Sequence, residues 1–177
     1  MSDLQRREHL EDLFLTHASA VRAYALRRID PATAEETVSE VFMIAWRRLD
    51  DLPSDPLPWL LACARRVLAN QRRARRRRVS LEERLSQAGE THRVAECDDV
   101  TDRPLARALS ELSEADRELL LLVAWEELEP EQAARALGCS RRTLSVRLHR
   151  ARRRLAEKLQ RIEHEEQSAN TTMESLR

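Results

Sequence analysis

Residues 130–155, PEQAARALGCSRRTLSVRLHRARRRL, hold the side chains of this chain best suited to reading a nucleic acid. Pro130 suits the first turn of a helix. Ala133, Ala134 and Leu137 offer small apolar positions, and Gly138 permits the left-handed backbone that a sharp turn demands. Ser140 then stands where a cap for a second helix is needed. Leu144, Leu148, Ala151 and Leu155 recur at spacings of three and four and should face a core, which leaves Arg141, Arg142, Ser145, Arg147, His149 and Arg150 toward solvent. This is the layout of a helix-turn-helix, whose second helix fits a major groove: arginine reads guanine edges bidentately, and other cations neutralise phosphates. A merely solvated helix would have no reason to follow an alanine-rich helix and a glycine turn in this order.

A second cationic feature is the block Arg65–Arg78, with eight arginines and no acid. Alone it suits any polyanion or an acidic protein face. Catalytic chemistry has no comparable footing: there is no glycine-rich phosphate loop, nucleophile elbow or paired histidine. No catalytic residue, cofactor or metal ligand is therefore expected. His149 has no Cys or second His at ligand spacing. Cys63, Cys97 and Cys139 are widely spaced and odd in number, and read as reduced thiols serving as small hydrophobes.

These residues must be positioned by helices. Only 3% of the 177 residues are aromatic, 42% are apolar and 35% charged, and there are two glycines. The composition points to an all-α protein of two small helical domains joined by a flexible linker. Net charge is zero, with 31 basic and 31 acidic side chains, but the signs are segregated. Glu82–Asp102 holds seven acids and two arginines; Glu111–Glu131 holds eight acids and one arginine; Arg141–Arg161 holds nine basic residues and one acid. Periodicity predicts a helix from about Leu10 to Ile29, a second from near Ala32 to Leu49, a proline-rich loop over 51–58, and a third helix carrying Trp59, Leu60, Ala64, Val67 and Leu68 into the arginine block. The first domain is placed at 1–78 and an acidic linker at 79–104, with one short helix at Leu81–Leu85. The second domain is placed at 105–160, where Ser113 and Asp116 suggest a capping box ahead of LLLLVAW, and a disordered tail at 161–177. No apolar run reaches the ~20 residues of a membrane helix and no signal-peptide core opens the chain, so a cytoplasmic protein without membrane insertion is expected.

In this frame the segment Glu35-Glu36-Thr37-Val38-Ser39-Glu40-Val41-Phe42, then the proline-rich loop, then Trp59-Leu60-Leu61 and Ala64-Arg65, resembles conserved region two of bacterial sigma factors. LSELSEADRELLLL followed by the helix-turn-helix ending in RLHRAR resembles their region four. Order, spacing and the lack of a third domain point to the extracytoplasmic-function group of the sigma-70 family. The resemblance covers roughly Leu10–Arg78 and Leu105–Leu159. It implies promoter-specific initiation with core RNA polymerase and promoter DNA as partners, and an anti-sigma factor as a partner that the family admits.

The resemblance also implies roles. The helix bearing Glu35, Glu36, Ser39, Glu40, Phe42 and Trp46 would lie on the clamp of the polymerase largest subunit; Phe42 and Trp46 suit the core better, which leaves the contact to the glutamates. The 51–58 loop, with Trp59, Arg65, Arg66, Asn70, Arg72 and Arg73, would hold a flipped base and the melted strand of the downstream element. Trp59 suits helix packing better than base stacking. Arg66 and Asn70 stand where the family commonly has asparagine and aspartate, which leaves the downstream specificity open. Ser145, Val146, His149 and Arg150 would read the upstream element, while Arg141, Arg142, Thr143 and Arg147 anchor phosphates. A free-standing helix-turn-helix regulator is the rival reading, and it would leave the first domain without a task.

Overall fold

The computed structural model describes residues 2–83, 103–126 and 128–175, and the described residues contain only helices and their connections. The elements are α1 (Asp3–Leu26), α2 (Pro31–Arg47), a 3-10 turn (Leu49–Asp51), α3 (Leu57–Glu83), α4 (Arg103–Ser110), α5 (Glu114–Ala124), α6 (Pro130–Leu137) and α7 (Arg141–Ser175). They fall into two units, Met1–Ala95 and Glu96–Arg177, so the boundary lies inside the acidic segment. The rest of that segment, 84–102, including Cys97 and the end of the short helix expected at Leu81–Leu85, lies outside the described residues. Val79–Glu83 continue α3.

In the first unit, α1 and α2 run antiparallel: Arg22 pairs with Glu35 at 2.6 Å, Phe14 meets Phe42 edge-on at 4.8 Å, and Arg6 lies 5.0 Å from the Trp46 ring. Arg6 also donates to the Trp46 carbonyl and to Asp50, tying the start of α1 to the turn after α2. Ser2 and Gln5 cap each other reciprocally, so α1 starts at Asp3, seven residues before the apolar periodicity does, and ends at Leu26, which leaves Ile29 outside it. Asp30 caps α2 by accepting from the Thr33 N–H and hydroxyl, with Pro31 in the first turn. Val21, Tyr24, Val41, Leu60, Leu61, Val67 and Leu68 form the core. The one buried polar side chain among the described residues, Thr37, donates to the Thr33 carbonyl at 2.8 Å and lies 3.3 Å from the Gln71 side-chain amide of α3.

The second unit packs α4, α5 and α6 onto α7. Ser113 caps α5 by accepting from the Asp116 N–H, and Gln132 accepts from the Glu129 N–H ahead of Pro130. Leu119, Leu122, Ala133, Leu144, Ala151 and Ile162 are buried together with Ala108 and Leu112. Ile162 corrects the expected disordered tail. It is fully buried, seven residues or two turns beyond Leu155 on the same stripe, and α7 continues to Ser175. Acid–base contacts hold the same stretch onto α4: Arg107–Glu165 at 3.0 Å, Lys158–Glu111 at 3.3 Å, and Arg161–Glu111. Desolvation pushes the Glu111 carboxyl up, but the Lys158 hydrogen bond and the nearby Arg161, Lys158 and Arg107 charges outweigh it and hold Glu111 below its usual range.

Ile162→Ala should destabilise the second unit by roughly 2–4 kcal/mol, read as a lower urea midpoint, although it lies beyond the helix-turn-helix. Because the folded-state values of Asp30 and Glu111 are lowered, their contributions are complete above the ordinary carboxylate range and vanish as pH falls through the lowered values. Thermal melts from pH 7 to pH 3 should show the loss, and Asp30→Asn, which keeps the cap without the charge, should flatten the Asp30 share.

Candidate nucleic-acid interface

The turn between α6 and α7 is made by Gly138 at φ 66°, whose N–H bonds to the Arg135 carbonyl while the Cys139 N–H reaches Ala134. Ser140 then accepts from the Thr143 N–H at 3.1 Å and starts α7. With Leu144 and Ala151 buried, helical spacing turns the opposite side outward, and Arg142, Ser145, Val146, His149 and Arg150 are exposed there. Val146, 46% exposed, is a large apolar side chain in the middle of this polar face. Thr143 is exposed, whereas Arg147 is half-buried beside Leu148. Arg141 is exposed and pairs with Glu131 of α6 at 2.7 Å. Further along, Arg154 is held by Asp116 at 2.7 Å, while Arg142 and Arg150 form no ion pair with the described residues. All eight residues expected to read or grip the upstream element thus lie at one end of one helix.

On the first unit, Arg66, Asn70, Arg73 and Arg77 are exposed at spacings of four, three and four along α3. Asn70 Oδ1 accepts from Arg73 at 3.1 Å, and Arg73 Nε donates to the Ala69 carbonyl. Arg72 is half-buried. Arg65 is half-buried with its Nε shielded and lacking a hydrogen-bond partner among the described residues. Trp59 is half-buried in the first turn of α3, consistent with packing. The loop before it is shorter than 51–58: the 3-10 turn takes Asp51, and α3 takes Leu57 and the buried Pro58. Burial pushes His17 of α1 below its usual range, against the opposing pull of Asp55 in that loop.

The outer side of α2 presents a shallow groove lined by Glu35, Glu36, Ser39, Glu40, Met43, Ile44 and Arg47. Glu35, Glu36, Ser39 and Glu40, four of the six residues expected on the docking helix, line it, while Trp46 is half-buried beneath Arg6. Phe42 is 6% exposed, because its ring is spent on Phe14 and the core. Met43, 55% exposed, takes its place at the surface. Its signal was legible in sequence, since Glu36, Glu40 and Met43 fall at helical spacing on one side, opposite Val38, Val41 and Ala45. Cys63 is buried, which pushes its thiol up against the pull of Arg66 and Arg48. Among the described residues no group of His, Cys, Asp and Glu is arranged to hold a metal ion, and no helix is long and apolar enough to cross a membrane.

Comparison with known proteins covers both units. Residues 13–78 match the family "Sigma-70 region 2", and residues 102–155 match "Sigma-70, region 4". The chain is 30% identical over 152 residues to RNA polymerase sigma factor NccH of Alcaligenes xylosoxydans xylosoxydans, covering 81% of this chain and 80% of that one. It is 31% identical to the ECF RNA polymerase sigma factor EcfG of Rhodopseudomonas palustris, covering 84% of each chain. Among solved structures it is similar to the sigma factor RpoE crystallised with the anti-sigma factor NepR from Bartonella quintana. That match has a TM-score of 0.63 and 28% identity, over 85% of this chain and 96% of that one.

A β-carbon at Gly138 would meet nothing within 4 Å, so Gly138→Ala should be disfavoured by its backbone alone, by about 1 kcal/mol. Gly138→Asn, which tolerates the left-handed region better, should lose less. Urea unfolding of the two variants side by side measures the difference.

Proposed function

The chain belongs to the sigma-70 family of RNA polymerase sigma factors, in the extracytoplasmic-function group, and binds core RNA polymerase to direct initiation at specific promoters; we propose how its surfaces divide that work. It is an initiation factor, and we take its place of action to be the cytoplasm. The exposed face of α7 directly after the Gly138 turn carries the reading. That face enters the major groove of the upstream element, where Arg150 reads a guanine edge, Ser145 and His149 offer hydrogen-bonding groups, and Val146 offers apolar contact of the kind a thymine methyl takes. Arg141, Arg142, Thr143 and Arg147 grip phosphates, which set register without reading sequence.

On the first unit, the loop before α3 and the outer row of Arg66, Asn70 and Arg73 hold the melted strand of the downstream element, with Arg65, Arg72 and Trp59 on its flank. The Asn70–Arg73 hydrogen bond supports this placement, because it fixes an amide and a guanidinium side by side on the open face of α3. The groove on α2 docks the clamp of the polymerase largest subunit: exposed Glu36 and Glu40 meet basic partner groups, and Met43 fills an apolar contact between them. The acidic segment between α3 and α4 serves as the tether that joins the two units. An anti-sigma factor is a further proposed partner, because the RpoE structure was determined with one, and the α2 groove and the α7 face are the surfaces it would have to mask.

Purified chain should form a stable complex with core RNA polymerase and direct transcription from genomic fragments. Glu36→Arg and Glu40→Arg should abolish the complex while leaving the fold intact by circular dichroism; retained binding would remove α2 from the docking surface. In the holoenzyme, Arg150→Ala should lose roughly 1–3 kcal/mol at a single base position of the upstream element, measured on a set of point-substituted promoters. Arg147→Ala should weaken all of those promoters alike and flatten the salt dependence of binding, and equal losses at every position for both variants would overturn the division of roles.

A further inference from the structure

An ion pair crosses the turn of the helix-turn-helix, joining Glu131 Oε1 on α6 to Arg141 Nη1 on α7 at 2.7 Å, with side chains 55% and 69% exposed. Arg141 and Arg142 are the first two residues of α7, and no acid stands in that first turn. Two cations there face the positive end of the helix dipole, which disfavours them unless an anion lies close. In the free chain Glu131 supplies that anion to Arg141, and it sits favourably itself in the first turn of α6. Arg142 and Arg150 form no ion pair with the described residues, so among these three arginines Arg141 alone meets DNA with its charge already partnered.

We infer that Glu131 attenuates the affinity of α7 for DNA, by competing with a backbone phosphate for Arg141. The inference rests on the reading that α7 enters the groove and goes beyond it by naming a residue that works against binding. For Arg141 to grip a phosphate, the pair must open, or a carboxylate must be held beside the phosphates. An exposed ion pair is weak enough to yield, yet strong enough to cost about a two- to fivefold loss in affinity. Since a phosphate carries no base identity, the loss falls equally on promoter and non-promoter duplex. A factor that must leave an excess of competing non-specific sites gains by having this sequence-independent contact weakened.

The test uses the full chain on a random-sequence duplex, and the chain assembled with core RNA polymerase on a genomic fragment that it transcribes, each over a salt series. Glu131→Gln should raise both affinities about two- to fivefold by the same factor and steepen the plot of log K against log salt by up to about 0.9. Glu131→Asp, whose shorter side chain reaches Arg141 less well, should fall between. On an Arg141→Ala background, Glu131→Gln should keep only the small gain that removing one negative charge beside phosphates gives, and an equal gain on both backgrounds would overturn the competition for Arg141. A gain in affinity with a steeper slope is not something a loosened fold produces, so a merely structural pair would not give this result. If Glu131→Gln leaves affinity unchanged or lowers it while Arg150→Ala still weakens the promoter complex, the pair only supports the turn and the inference is overturned. If Arg150→Ala has no effect either, the groove reading of α7 has failed and the inference falls with it.

Discussion

The burial of one apolar stripe on α7 decides which side of that helix is left for DNA. Leu144, Ala151 and Ile162 are buried against the shorter helices of the second unit, and Leu148 and Leu155 are half-buried between them. Fixing that stripe fixes the rotation of the helix, so Ser145, Val146 and His149 are turned outward whatever their own preferences. The turn at Gly138 sets where the helix starts, and the Ser140 cap makes the start sharp. Nothing in the recognition face has to stabilise the fold, which leaves its side chains open to selection for sequence reading.

The arginines of α7 divide according to the same stripe. Arg154 and Arg161 lie where α4 and α5 bring Asp116 and Glu111 within reach, and they are held there. Arg142 and Arg150 lie on the exposed side and form no ion pair with the described residues. Exposed ion pairs add little stability, so the main consequence of these contacts is that Arg154 and Arg161 are already partnered. The density of arginine along this helix therefore overstates the charge available to DNA, and the turns next to the Gly138 bend carry most of it.

Much of this was legible in the sequence, because the helix-turn-helix has a steric requirement at a single position. Only glycine takes φ 66° without strain, and the apolar spacing after it gives the buried side directly. Sequence pattern failed where side chains of mixed character decide the outcome. The start of α1 is set by the local Ser2–Gln5 capping pair, which lies outside the apolar periodicity, and by Arg6, whose contacts with Trp46 and Asp50 come from across the bundle and leave no periodic trace. The tail after Gln160 is strongly polar and reads as frayed by composition, yet one isoleucine at the right step carries the helix on. Phe42 falls at the edge of the apolar side of α2, and its burial depends on where Phe14 sits, a contact 28 residues away in sequence.

A net charge of zero gives the placement of these charges its significance. At physiological ionic strength a charge is felt over roughly 8 Å, less than the length of any long helix here, so each face acts on its own surroundings. A uniformly basic chain would be drawn to any nucleic acid at long range. This chain instead presents cations on the outer rows of α3 and α7, and carboxylates on the outer side of α2, with acids balancing the total elsewhere. Attraction to DNA then arises only once a basic row has come within contact distance of phosphates. Such a protein gains little from electrostatics at the stage of search and much at the stage of docking, which fits a factor whose delivery to DNA depends on a larger partner.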